Sequence, residues 1–381
     1  MTPGLAISSI VGLCIEYKTF IFQRHKLEYL NLILFLFILG LTWGIFCYIE
    51  FGEIKPILST SGIFIPIYAY ILFKSMPSIN AQFVRNLLND LRLLCFLMIS
   101  LGWLKILIGS DFGPYSAFEK PLFPFSEESH YALCLSIFLI SFICGSKENI
   151  LICILLLNVL LIAVLLPSLT LLVVFFLGVL CFILQKSFYW KLASVGILIF
   201  FSAVLLNFLL TDEYFSERLT TASFENETLL VWIQGWLLIF STLDYSNGLG
   251  MGFQMLGHNK DALPMMSDLI FDMLNVGYQN VDDGGFLSAK IIGELGLLGI
   301  FFVFIYLKYF FKSAIFLNKR FSSTLQKEEL ILIKIFSGFV LSMSIEMFLR
   351  GIGYFSTGTL FFFLGAIFIN SYNSTLYTKN N

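Results

Sequence analysis

Arg218, Arg350, the pair Asp282-Asp283 followed by Lys290, and the stretch Ser126-Glu127-Glu128-Ser129-His130 put charge against a strongly apolar background. A guanidinium is a planar fork of donors that grips phosphate oxygens in pairs. Arg218 and Arg350 therefore suit a phosphate-bearing substrate, with Lys290 as a third cation. The same charge would stabilise a diphosphate as its bond to carbon breaks. An attacking hydroxyl needs a base within hydrogen-bond reach. Asp283, Glu128 and His130 are the candidates, and the sequence does not rank them.

Each of these residues also has a plain structural reading. Arg218 can pair with Glu217 or another nearby carboxylate, Arg350 can cap a helix end, and His130 can sit at an interfacial helix start. Lys290 and Glu294 are four apart on one helical face and can pair with each other. Glu346 and Lys105 stand in or near apolar runs, where an ionisable group marks either function or internal pairing. The three histidines, His25, His130 and His258, have no ligand spacing, and two adjacent aspartates are a weak basis for a cation site. No metal or other cofactor is expected.

The elements that must hold these groups follow from composition. Hydrophobic residues make up 58% of the chain and charged residues 13%, against roughly 25% charged in a soluble domain. Mean hydropathy is +0.88. A water-facing surface this apolar would aggregate, whereas lipid accepts it. The net charge of -2 gives no field that would draw nucleic acid. The seven cysteines lie in or beside apolar runs without a CxxC, so they read as small buried hydrophobes.

A span needs about 20 mostly apolar residues. On that rule helices fall near 4–22, 29–48, 57–73, 91–109, 129–146, 149–166, 168–185, 190–210, 287–308, 329–349 and 353–370. The chain reads as a single all-α transmembrane bundle of eleven or twelve spans, with an uncleaved first span in place of a signal peptide. Lys and Arg stay on the cytoplasmic side. Sixteen of the 23 basic residues fall in one set of alternate loops, six in the other, and Lys105 inside a span. That places the C-terminus in the cytoplasm, the N-terminus outside, and two segments outside: a short one at 110–128 and a long one at 211–286.

The long segment carries the apolar run 229–241 with Trp232 and Trp236. It is too short to span and suits a helix lying in the membrane interface. Next comes NGLGMGFQMLG, whose Gly248, Gly250, Gly252 and Gly257 let backbone pass close to a neighbouring helix or a ligand. No GxGxxG or GK[ST] accompanies them, so this is no nucleotide loop. Trp232, Trp236 and Tyr245 can stack on sugar faces or anchor the segment.

Four segments carry a resemblance. PFSEESHYAL (124–133), Arg218-Leu219, LVWIQGW with GLGMGFQMLG (230–257) and DDGGFLSAKIIGELGLLG (282–299), in this order, resemble the Wzy-type O-antigen polymerases of bacterial surface-polysaccharide pathways. The resemblance implies a GT-C-like, metal-independent glycosyltransferase of the inner membrane. It would move a growing glycan from undecaprenyl diphosphate onto the next lipid-linked repeat unit, with inversion. Its partners would be undecaprenyl-diphosphate-linked oligosaccharide, membrane lipid and a chain-length regulator protein, without nucleic acid. The related O-antigen ligases carry a histidine nine residues before the ELG glutamate, where this chain has Gly285. That departure favours polymerase over ligase. A lipid-linked oligosaccharide flippase is the rival from another class. It would show internal repeats and charge at mid-membrane depth, and no repeat is visible.

Overall fold

The computed structural model describes residues 27–109, 121–186, 227–274, 280–318 and 327–378. The spans expected near 4–22 and 190–210, and Arg218, lie outside the described residues. Among those described there is no strand, only an isolated bridge between Leu122 and Phe125. Helices follow in the order α1 (Leu27–Phe51), α2 (Lys55–Ser59), α3 (Phe64–Lys74), α4 (Ala81–Ile108), α5 (Glu128–Gly145), α6 (Asn149–Leu165) and α7 (Leu169–Leu184). After these come α8 (Glu227–Tyr245), α9 (Met265–Leu274), α10 (Leu287–Asn318), α11 (Lys327–Phe348) and α12 (Thr357–Thr378). Each of the other nine expected spans coincides with helix. Five are long and apolar enough to cross a membrane: Lys55–Lys74, Ala81–Ile108, Glu128–Gly145, Leu287–Asn318 and Lys327–Phe348. Large apolar side chains such as Leu107, Ile150, Leu297 and Phe304 point outward, an arrangement that suits lipid and not water.

Antiparallel α5 and α11 form the centre, with α4 and α7 against α5, and α10 and α12 against α11. Small residues let the two central helices touch, as membrane packing favours. A Cβ on Gly338 would lie 2.5 Å from the Cα of Ser141. Phe336 stacks on Phe368 at 4.0 Å and joins α11 to α12. Cys47, Cys95, Cys144 and Cys181 are buried as expected, whereas Cys153 is exposed on the outer face of α6.

Three regions depart from the sequence reading. The span near 57–73 is broken into α2, a 3-10 turn at Thr60–Ile63, and α3. The Thr60 hydroxyl donates to the Pro56 carbonyl at 3.1 Å and Ser61 to the Leu58 carbonyl at 2.6 Å. Such back-bonding competes with the regular helix ladder. The helix expected over 229–241 extends over Glu227–Tyr245, and Leu230, Val231, Gln234, Leu238 and Thr242 form one buried stripe along it. The segment also holds α9, which the sequence reading did not anticipate.

The third departure is a break in α10 at Gly296 (φ 59°, ψ −133°), a conformation open only to glycine. A break frees backbone groups that lipid cannot satisfy. The Gly-rich segment takes them up. Met251 N–H donates to the Gly293 carbonyl and Gly252 N–H to the Glu294 carbonyl, both at 2.8 Å, and Leu297 N–H donates to the Gly248 carbonyl at 2.9 Å. A Cβ on Gly250 would stand 2.5 Å from the Glu294 carbonyl oxygen. These glycines therefore pass close to a helix.

Candidate functional site

Lys290 lies in the first turn of α10 and is 1% exposed. Its ammonium donates to Asp283 Oδ1 at 2.6 Å and to the Asp282 carbonyl at 2.7 Å. Glu294 Oε1 is 3.6 Å away. This is the pairing expected from the i,i+4 spacing, but it is longer than a hydrogen bond, and Glu294 Oε1 has no hydrogen-bond partner. Glu294 Oε2 accepts from the Tyr354 hydroxyl at 2.7 Å. A buried ammonium costs several kcal/mol unless it is paired, and here two carboxylates face it.

The two aspartates diverge. Asp282 turns to Lys55 at 3.4 Å, while Asp283 turns inward to Lys290. They do not converge on a common point, and among the described residues no three His, Cys, Asp or Glu side chains gather as metal ligands. Burial pushes the Asp283 carboxyl up. The Lys290 ammonium, with Lys55 and Arg350 beyond it, outweighs burial and holds Asp283 below its ordinary 3.8. An aspartate held so acidic is a weak general base while Lys290 stays beside it. Orienting Lys290 is the role its geometry suits.

Arg350 follows the end of α11. Its Nη2 donates to Glu127 Oε2 at 3.0 Å, so it pairs across the bundle and does not cap its own helix. Ser129 donates to the same oxygen at 2.9 Å. Burial pushes the Glu127 carboxyl up, but Arg350 and these hydrogen bonds more than offset that, leaving it below its ordinary 4.5. Arg350 Nε is buried without an acceptor among the described residues. His130 Nδ1 and the Ser126 hydroxyl share a hydrogen bond at 2.9 Å, and the ring lies within electrostatic reach of Glu127 and Arg350. Glu128 occupies the same first turn of α5.

The two charged groups form one cluster. Gly351 N–H donates to the Gly285 carbonyl at 3.0 Å, and the Arg350 charge acts on Asp283. Five of the six residues singled out by sequence, Asp283, Lys290, Arg350, Glu128 and His130, thus come from the loop before α10 and its first turn, the end of α11 and the start of α5. The sixth, Arg218, lies outside the described residues. His258 stands apart, with Nδ1 3.5 Å from Glu53 and its ring edge-on to Phe51.

Beside the cluster opens a cavity of about 1010 Å³. Trp43, Thr60, Gly250, Leu298 and Phe363 are among its lining residues, and Glu294 and Tyr354 give it one polar wall. Trp43 Nε1 donates to the Phe253 carbonyl at 3.2 Å, which ties α1 to the Gly-rich loop. Trp232 and Trp236 do not reach this cavity. Trp232 donates to the Phe348 carbonyl at 2.9 Å and Trp236 packs on Phe286 at 4.9 Å, so both fix α8 in place.

Glu127, Tyr354 and the α1 wall were not read as site residues from sequence. Glu127 stood in the acidic stretch before His130, but nothing there marked it as the partner of Arg350. Tyr354 sits between two apolar runs with no telling spacing. The chain matches no protein-family model, no curated protein and no solved structure.

Proposed function

We propose that the chain is a polysaccharide polymerase of the GT-C-like kind, with eleven or twelve spans and this cluster on the periplasmic face of the bacterial inner membrane. Its substrates are undecaprenyl-diphosphate-linked oligosaccharides. The observation that carries the reading is a group of charges holding two cations, Lys290 and Arg350, next to a large apolar cavity whose wall includes Glu294, 3.6 Å from the Lys290 ammonium. A polyprenyl diphosphate has the same two parts, an apolar tail and an anionic head.

In the reaction the acceptor hydroxyl oxygen bonds to the donor's anomeric carbon. The bond from that carbon to the diphosphate oxygen breaks, and its electron pair leaves with the diphosphate. Arg350 is the accessible cation at 27% side-chain exposure, and it can turn a donor to a phosphate oxygen while Glu127 keeps Nη2. Lys290, enclosed by Asp283 and Glu294, acts on the developing charge mainly through its field, which a low-dielectric site strengthens. The hydroxyl proton passes to His130, Glu128 or Asp283. Asp283 serves least readily, because Lys290 holds it acidic.

Deletion followed by a gel of surface glycan tests the reading. Loss of polymerase leaves core plus a single repeat unit. Core alone with accumulated lipid-linked polymer would mean a ligase, and units trapped inside the cell a flippase. Arg218→Ala and Arg350→Ala, each at normal abundance, should both abolish the ladder.

A further inference from the structure

A second cationic group, Lys147, Lys186 and Lys334, lies at the opposite end of the bundle. In α11, Lys334 stands two turns in from the start at Lys327 and Arg350 just past the other end, about 24 Å apart at 1.5 Å per residue. α5 runs the other way, from Glu127 at the first cluster to Lys147 just beyond its end.

Neutral side chains hold two of the three lysines, Lys334 and Lys186. Lys334 donates to Gln185 Oε1 at 3.4 Å, and Gln185 is itself pinned by donating to the Ile143 carbonyl at 2.9 Å. The next residue, Lys186, donates to Asn149 Oδ1 at 2.6 Å and lies 3.8 Å from the Phe182 ring centroid. Asn149 is two residues past Lys147, and both Lys147 and Lys186 act on the charge of Lys334. Among the described residues no carboxylate stands within ion-pair distance of any of the three. The adjacent acid, Glu148, turns to Arg92 at 3.8 Å. Each ammonium has three donors, and the two amide oxygens use few of them. Like charges gathered this closely repel, and an anion relieves the repulsion.

The neighbouring surface says which anion. Ile150, Ile154, Leu157 and Leu161 repeat every three or four residues along α6 and are all exposed, Ile150 at 79%. This apolar stripe begins one residue after Asn149. A ligand that satisfies both features has a phosphate on the lysines and hydrocarbon along the stripe. We infer that Lys147, Lys186 and Lys334 form a headgroup site for an anionic phospholipid whose acyl chains lie on α6. The site is separate from the glycan chemistry proposed above and does not depend on it.

Native mass spectrometry of the full chain, purified in a mild detergent and titrated with phosphatidylglycerol or phosphatidylcholine, tests this. Phosphatidylglycerol should be retained at stoichiometric levels and phosphatidylcholine should not. Removing one lysine charge, as in Lys186→Gln, should weaken retention about fivefold, and Lys147→Gln with Lys186→Gln more steeply, while Lys186→Arg keeps it. The arginine variant separates lost charge from damaged folding. Equal retention of phosphatidylglycerol by the double variant and the parent would overturn the proposal. Displacement of the lipid by millimolar inorganic phosphate, with equal stabilisation by phosphate alone, would overturn the lipid assignment.

Discussion

Arg350 and Glu127 are 223 residues apart in the chain and 3.0 Å apart in space. Their contact joins the end of α11 to the start of α5, and through Gly351 and Gly285 it brings the Lys290 group alongside. Three separate stretches of sequence thereby become one charged surface.

The pair gives a pH dependence with a definite sign. Glu127 titrates below its ordinary 4.5 in the fold, so its stabilisation is fully present above that value and is lost as pH falls through the lower folded value. At 42% and 27% exposure its size stays within about 1 kcal/mol. Thermal unfolding in detergent from pH 7 to pH 3 should therefore show part of the acid loss disappear in Glu127→Gln. An unchanged acid limb would remove Glu127 from the account.

Lys290 should matter far more to folding. Lys290→Met leaves Glu294 buried beside an apolar side chain and deprives Asp283 of its partner, at a cost of about 3–5 kcal/mol. Adding Glu294→Gln should recover part of it, a coupling that a double-mutant cycle reads directly. Strict additivity of the two changes would mean that the 3.6 Å approach carries no energy.

Gly250 and Gly109 both have positive φ, 82° and 66°, yet they should respond differently to alanine. At Gly109 a Cβ meets nothing within 4 Å, and the cost is the conformational one, about 1–2 kcal/mol. At Gly250 the Cβ meets the backbone of Glu294 and Gly296 at 2.5 Å, so the loop must lift off α10. Gly250→Ala should lose more stability than Gly109→Ala and, under the proposed function, the glycan ladder with it. Matching melting temperatures for the two variants would argue against the docked loop.

The cavity can be narrowed without touching the charges. Leu298 lines it and is 54% exposed. Leu298→Trp should leave the melting temperature within about 1 °C, since an exposed site costs little, while, under the proposed function, shortening or abolishing the polymer. A full-length ladder at normal abundance would count against the proposed placement of a polyprenyl tail in this cavity.

Helix positions are legible in the sequence because a span must be about 20 residues long and apolar. The runs at 91–109 and 329–349 could be little else. The break at Gly296 is not legible. GELGLLG signals a close approach, but the partner backbone, Gly248–Gly252, lies more than 40 residues earlier, and nothing local names it. Spacing pointed to Lys290 and Glu294 as partners. The turn over Asn280–Gly284 brings Asp283 closer still, and a local rule could not weigh that. Arg350 was visible as a charge out of place, while its partner depended on which helix ends meet.

The hydrogen bonds that splint α10 at Gly296 have a mechanical consequence. Parting the Gly-rich loop from the helix would strand the Gly293 and Glu294 carbonyls in a low-dielectric medium, at about 1–3 kcal/mol each. Loop, helix break and Glu294 are thus obliged to shift together. Because Trp43 Nε1 donates to the Phe253 carbonyl, α1 is fastened to the same assembly, one hydrogen bond from the loop that splints the broken helix.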